Sequence, residues 1–402
     1  MEFELRDYQQ EAVNNGAEIL AKHHILILNF EVRTGKTHIA LDIAKNYNNV
    51  LFVTKKKAIS SIESDYKAAN HQFNIKVINY ESLHKVRNDY DLVICDESHC
   101  LAAFPKPSKR TKEIKQQYTF SDFIFMTGTL LPESNSQIYH QLFVSSHSPF
   151  RKYTNFYKWF NNFGTPKILY TSYGQAKDYS TVDYDKIKKF IDPLLLTYTQ
   201  KEAGFKSEIK ENVLSVKMNP STYDLANRLK KDLVIEGKDE VILAETGVKL
   251  MMKLHQIYSG TVKFESGNNM VLDYSKVDYI KANFKGKKLA IFYKFKAELD
   301  AIKSKIDITQ DIEEFNNTDK HIALQIVSGR EGINLSKANC LIYYNIDFSA
   351  VSYWQSRDRL TTINRPINNV YWLFSDGGIE RNIYKSVMNK RDYTLQTFNR
   401  GE

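Results

Sequence analysis

The chain has 402 residues, 42% hydrophobic and 26% charged, which is enough apolar material for two domains of ordinary size. The opening residues MEFELRDYQQ lack a basic start followed by an apolar run, and nowhere do about 18 apolar residues follow one another, so neither a signal peptide nor a membrane span is supported and a cytosolic location is expected. Lys and Arg number 56 against 47 Asp and Glu, a net charge of +9 that favours a polyanionic partner without identifying one, while Cys95, Cys100 and Cys340 are too few and scattered for a disulfide framework or a four-ligand zinc site. Cys95 lies inside an apolar run and is expected to be core.

Short apolar, β-branched runs come first: HILILNF (24–30), NVLFVT (49–54), IKVINY (75–80), DLVICDE (91–97) and FIFMTGT (123–129). Continuous apolar strands with amphipathic stretches between them predict a parallel sheet covered by helices on both faces. Residues from roughly 133 to 275 change character: segments such as STYDLANRLKKDLVIEG and ETGVKLMMKLHQIYSG repeat their apolar residues at helical spacing, so this middle reads as mostly helical. A second strand series follows in KKLAIFY (287–293), IALQIVSG (322–329), NCLIYYNI (339–346) and NNVYWLF (368–374). The expected fold class is α/β, with two tandem parallel-sheet lobes, 1–210 and 211–402, and helical insertions between them. Basic clusters at 54–58, 106–115 and 284–288 are most often solvated surface, and the aromatics are expected mostly in the core, with a base-stacking or strand-separating wedge as the alternative for the dense cluster Tyr153, Phe156, Tyr157, Trp159 and Phe160.

The stretch NFEVRTGKTHIA (29–40) ends like a phosphate-binding loop, yet Phe30 stands where the pattern G-x-x-x-x-G-K-[ST] has its first glycine. A nucleoside triphosphate needs a strand, a turn with backbone N–H groups facing the phosphates, a lysine, and a helix N-terminus. HILILNF is the strand, Gly35 permits close backbone approach, Lys36 is the cation, and Thr37 supplies a hydroxyl for Mg²⁺. Arg33 and Thr34 complete the loop. Asp96 and Glu97, at the end of a later apolar strand, are suited to holding Mg²⁺ and to deprotonating the attacking water.

In this order, Lys36, the DESH at 96–99 and the TGT at 127–129 resemble motifs I, II and III of superfamily 2 helicases and translocases. LRDYQQEAV (5–13), INYESL (78–83), KLHQIYSG (253–260), KKLAIFYKF (287–295), SGREGINLSKANCLIYYNIDFS (328–349) and YWQSRDRL (353–360) narrow the resemblance to the Swi/Snf-like branch of double-stranded-DNA translocases. The E-x-R-T-G-K-T loop is similar to that of phage and mobile-element members, which implies a phage origin and a bacterial host cytoplasm. The resemblance implies two RecA-like lobes, ATP and Mg²⁺ as cofactors, and a monomeric motor on duplex or branched DNA, with replication or recombination proteins as further partners.

Residue by residue, the resemblance gives Gln9 the adenine edge, His99, Thr127, Gly128 and Thr129 a coupling role, and Gly332 and Asn334 the same role in motif V. In motif VI, Gln355 and Arg359 match, and Arg359 is expected to stabilise charge on the γ-phosphoryl group. Thr362 stands where a second arginine is usual, and Arg365 is either its replacement or a surface residue. Lys55 and Lys56 are candidate phosphate contacts, with Thr54, Ser82 and Ser336 as hydroxyl donors. Two further readings stay open: a single-strand or RNA helicase supporting viral transcription, and a hydrolysis-deficient binding module, motivated by Phe30 and Thr362. A metal site at His99 and Cys100 lacks further ligands.

Overall fold

The computed structural model describes residues 4–400, apart from 88, 133, 172–173, 205–207, 330–332, 334, 363–364 and 390–391. Two compact units divide it, Met1–Phe205 and Lys206–Glu402. All nine apolar runs form strands. In the first unit these are β1 (Ile25–Phe30), β2 (Asn49–Thr54), β3 (Asn74–Asn79), β4 (Leu92–Asp96) and β5 (Asp122–Thr127). A hairpin, β6 (Lys167–Thr171) and β7 (Gly174–Asp178), and an edge strand, β8 (Leu195–Tyr198), follow.

The first sheet runs β3-β2-β4-β5-β1-β8, parallel throughout. Its strands are apolar at nearly every position because both faces are covered. In β1, Ile25 and Ile27 join one core cluster, whereas Leu26, Leu28 and Phe30 join another on the opposite face. Alternating Cβ directions produce this division. Phe156, Trp159 and Phe160 are buried in the first of these clusters, while Tyr157 remains 41% exposed. Cys95 is buried there too.

In the second unit, β9 (Glu208–Val216) is followed by two short antiparallel hairpins, β10 (Val234–Glu236) with β11 (Val241–Leu243) and β12 (Thr261–Lys263) with β13 (Asn269–Val271). The main strands are β14 (Leu289–Tyr293), β15 (Ile308–Thr309), β16 (His321–Gln325), β17 (Cys340–Tyr343) and β18 (Ile367–Ser375). Their order is β15-β16-β14-β17-β18-β9, again all parallel.

The middle of the chain contains the expected helices, among them Phe156–Phe163, Pro220–Asp232 and Gly247–Tyr258. It also contains strands that periodicity did not reveal. β8 and β9 are edge strands, and β9 (EIKENVLSV) carries charges on its open side, which hides its alternation. β9 pairs with β18 from Glu208 onward, so residues 208–210, which the sequence reading puts at the end of the first lobe, pair in the second sheet.

Glu211 on β9 anchors the helix Ala350–Arg357 to this sheet. Its carboxylate accepts from Tyr353 Oη at 2.8 Å, Arg357 Nη1 at 2.8 Å, Trp372 Nε1 at 2.9 Å and Tyr384 Oη at 2.8 Å. Trp354 fixes the same helix by donating Nε1–H to the Val387 carbonyl at 3.1 Å, under the Arg357 guanidinium. Truncation at Glu211 leaves four polar groups without their acceptor. Glu211→Ala should therefore cost about 2–4 kcal/mol in urea unfolding; a cost below about 0.5 kcal/mol, the range of an ordinary surface change, would contradict this role.

Candidate active site

Parallel strands bring the functional loops of the first unit to the carboxyl edge of one sheet. β1 ends at Phe30 and leads into the loop 31–35, and the helix Lys36–Ile43 follows. Gly35, the N-cap, has φ 83°, a left-handed conformation that β-carbon sterics disfavour. A Cβ here would also lie 2.0 Å from Gln9 Nε2, so a side chain at this position would displace Gln9 from the loop. Phe30 is the last strand residue, buried against the Tyr198 ring. Its position needs no glycine conformation, and its carbonyl accepts from Lys36 Nζ at 2.6 Å. The Glu31 carbonyl accepts a second bond from Lys36 at 3.1 Å.

The loop is pinned from two sides. The helix Asp7–His23 supplies Tyr8 Oη, which donates to the Thr34 carbonyl at 2.8 Å, and Gln9 Nε2, which donates to the same oxygen at 3.3 Å. From the end of β8, the Gln200 backbone N–H donates to Glu31 Oε2 at 2.6 Å and its side-chain amide to the Val32 carbonyl at 3.0 Å. Thr34 is fully buried, with its hydroxyl on the Glu31 carbonyl, and Arg33 holds a left-handed φ of 66°. Tyr8, Tyr198 and Gln200 are the site residues that sequence reasoning missed. Tyr8 adjoins Gln9 and stacks on Tyr198; Gln200 has no local signal, since only the pairing of β8 with β1 brings it to the loop.

Two strands away, β4 ends in Asp96. Its Oδ2 accepts from Thr54 Oγ1 at 2.7 Å and its carbonyl from Tyr80 Oη at 2.6 Å. Burial, and then the neighbouring Glu97 charge, push its pKa up to about 6, against the opposing pull of the Thr54 hydrogen bond and the Lys36 ammonium. Glu97 adopts φ 49°, ψ 51°, unusual for a residue with a side chain, and turns the chain sharply out of β4. His99 Nδ1 lies 3.3 Å from Glu97 Oε2 and 3.4 Å from Thr127 Oγ1, linking the carboxylates to the end of β5. Thr127 Oγ1 accepts from the Thr129 N–H at 3.1 Å. A Cβ on Gly128 would lie 3.8 Å from Lys36 Nζ, so the TGT segment borders the phosphate loop.

The residues present fit a hydrated divalent cation. Asp96, Glu97 and the Thr37 hydroxyl are oxygen donors of the kind Mg²⁺ takes, though among the described residues no group of three His, Cys, Asp or Glu side chains could hold a metal ion, and the buried Thr129 Oγ1 has no hydrogen-bond partner there. Thr37 is the second residue of the helix beyond Gly35.

The other expected site residues fall in several places. Thr54 is fully buried with its hydroxyl on Asp96, so the structure places it within the carboxylate cluster rather than on an open nucleic-acid surface. Lys55 and the exposed Lys56 follow the carboxyl end of β2, and the half-buried Ser82 lies in the turn after β3. In the second unit, Gln355 and Arg359 are buried, on the helix Ala350–Arg357 and the turn after it. Arg365 has a task other than replacing the arginine absent at Thr362. It donates to the carbonyls of Ala338 at 2.8 Å, Asn339 at 2.6 Å and Ser336 at 3.4 Å, capping the turn that leads into β17. Gly332 and Asn334 lie outside the described residues. His255, from KLHQIYSG, is fully buried, 2.5 Å by Nε2 from Asn345 Oδ1, while Asn345 Nδ2 donates to Glu298 Oε1 at 2.6 Å.

Two segments of the chain match known families. Residues 2–67 match the family described as type III restriction enzyme, res subunit, and residues 265–364 match the helicase conserved C-terminal domain. These matches support an ATP-hydrolysing helicase or translocase. A 103-residue stretch is 33% identical to Helicase SWR1 of Eremothecium gossypii, covering 25% of this chain and 7% of that protein's length. The SWI2/SNF2 ATPase core of Sulfolobus solfataricus, solved in complex with dsDNA, aligns at 17% identity over 97% of this chain and 92% of its own, with a TM-score of 0.45. The ATPase core domain of the same organism aligns at 17% identity over 97% and 89%, with a TM-score of 0.43. Among the described residues, no helix is long and apolar enough to cross a membrane.

The raised Asp96 pKa has a definite stability consequence. An acid whose folded pKa exceeds its unfolded value of about 3.9 adds stability below pH 4, and that contribution disappears as pH rises through about 6. Asp96→Asn should therefore leave stability unchanged below about pH 4 and raise it by about 1–3 kcal/mol at pH 8, measured by chemical denaturation in chelator without nucleotide. A less stable variant at pH 8 would overturn this assignment.

Proposed function

We propose that this protein is a nucleic-acid translocase driven by ATP hydrolysis, acting on duplex or branched DNA in replication, recombination or repair. The observation that carries the reading is the meeting of Lys36, Asp96, Glu97 and the TGT segment at one sheet edge, through strands whose ends the parallel topology aligns. The loop amides and Lys36 bind the phosphates, releasing Lys36 from the Phe30 and Glu31 carbonyls. Gln9, already beside the loop, takes the adenine edge. Thr37 and Asp96 would hold Mg²⁺, which would supply positive charge against the phosphates. Glu97 then orients the attacking water and accepts its proton.

His99 reports the state of the carboxylates to Thr127. Arg359, with Gln355, is proposed to stabilise charge on the γ-phosphoryl group. Lys55, Lys56, Ser82 and Ser336 are proposed to engage DNA phosphates, which gives binding that varies little with sequence and falls steeply with salt. Motif V would couple the two activities through Gly332 and Asn334. A phage origin and action in a bacterial cytoplasm remain part of this proposal, supported by the E-x-R-T-G-K-T loop.

Steady-state ATP hydrolysis at low salt, with duplex DNA, single strands, RNA or no nucleic acid, tests the proposal. Duplex DNA should give the strongest stimulation, and Lys36→Ala should abolish it. Stimulation by single strands or RNA alone would move the substrate, and no turnover in a folded protein that binds DNA would leave a binding module. Glu97→Gln should keep ATP affinity while lowering kcat by about 100-fold or more. Arg359→Ala should lower kcat by about 1,000-fold in the same assay, and an unchanged kcat would remove Arg359 from the mechanism.

A further inference from the structure

At the opposite edge of the second sheet lies a cavity of about 570 Å³, bounded by the residues that lead into β14, β15, β16 and β17. The segment resembling motif VI follows the carboxyl end of β17, whereas this cavity lies where the strands begin. Five lysines line it against two aspartates, Asp307 and Asp319. Two of the lysines are engaged: Lys288 donates to the Phe315 carbonyl at 2.6 Å, and Lys305 pairs with Asp278 at 2.5 Å. Lys281, Lys285 and Lys287 are exposed and make no ion pair among the described residues, and Lys287 also lies over the Phe284 ring at 5.6 Å and the Tyr371 ring at 6.0 Å. Gly286, at φ 71°, turns the chain between Lys285 and Lys287, bringing both to the mouth.

We propose that this cavity is a second phosphate-binding site, taking backbone phosphates of nucleic acid. The inference rests on the nucleic-acid reading above and adds a contact at the far edge of the C-terminal sheet. Charge, not apolar surface, defines the ligand: the hydrophobic lining residues Ile280, Phe284, Leu289 and Ile306 are buried and offer little to a peptide side chain. Lysine ammonium groups on flexible stems suit repeated phosphates, whose neutralisation releases counterions. A free phosphate compound has the same chemistry as a nucleic-acid backbone, so the test separates the two sources.

The probes are a fluorescein-labelled mixed-sequence duplex and inorganic tripolyphosphate, with the full chain and its Lys281→Gln/Lys285→Gln/Lys287→Gln variant. The slope of log affinity for the duplex against log salt should become shallower by about 2–3, at about 0.9 per lost phosphate contact. Basal ATP hydrolysis and the thermal midpoint should stay unchanged. An unchanged slope and affinity, in a protein whose ATPase the duplex still stimulates, overturns the pocket and leaves the translocase reading intact. Tripolyphosphate binding lost in the variant, with an unchanged duplex slope, overturns nucleic acid as the source and assigns a free phosphate ligand. A native chain that binds no nucleic acid defeats both readings together.

Discussion

Parallel strand pairing is the constraint on which the first unit depends. Because β2, β4, β5 and β1 are neighbours running the same way, everything that follows their carboxyl ends must collect on one edge. Residues distant in sequence thereby become neighbours: the loop after β1, the carboxylates after β4 and the TGT segment after β5. No individual contact creates this meeting. The apolar runs do, because burial on both faces fixes their register and a one-residue slip would turn every side chain to the wrong face.

Electrostatics then work against the fold at that edge. Asp96 and Glu97 place two carboxylates together where burial disfavours charge, and Asp96 is pushed up to about 6 as a result. The left-handed backbone at Glu97 adds strain of the kind that persists only where surrounding structure holds it. Lys36 offsets part of this field from the facing loop. A cation bound between these groups would relieve the repulsion, so the same arrangement that weakens the ligand-free protein favours metal-bound nucleotide.

Much of this was legible in the sequence, for a physical reason: strands buried on both faces leave continuous apolar runs, and all nine such runs are strands. The loop's backbone was legible too, since Gly35 holds the left-handed conformation its position needs. β8 and β9 were not, because edge strands alternate weakly and mix with charge. Gln200 and Tyr198 were hidden with them, as their roles arise only through the pairing of β8 with β1. Arg365 shows the opposite limit. Its position suggested either the missing motif VI arginine or a surface residue, whereas its hydrogen bonds go to backbone carbonyls that no sequence pattern announces.

Phe30 is where the loop departs most visibly from the glycine-rich pattern, and the structure gives it the ordinary conformation of a strand end. The central claim is thus that this edge binds Mg²⁺·ATP despite the missing glycine. Calorimetric titration of Mg²⁺·ATP into the native chain and into Lys36→Ala tests it most directly. One-to-one binding by the native chain, weakened at least about tenfold by the substitution, which corresponds to about 1.4 kcal/mol, is the predicted result. Equal affinity in both proteins, or no binding by a folded native chain, would contradict it.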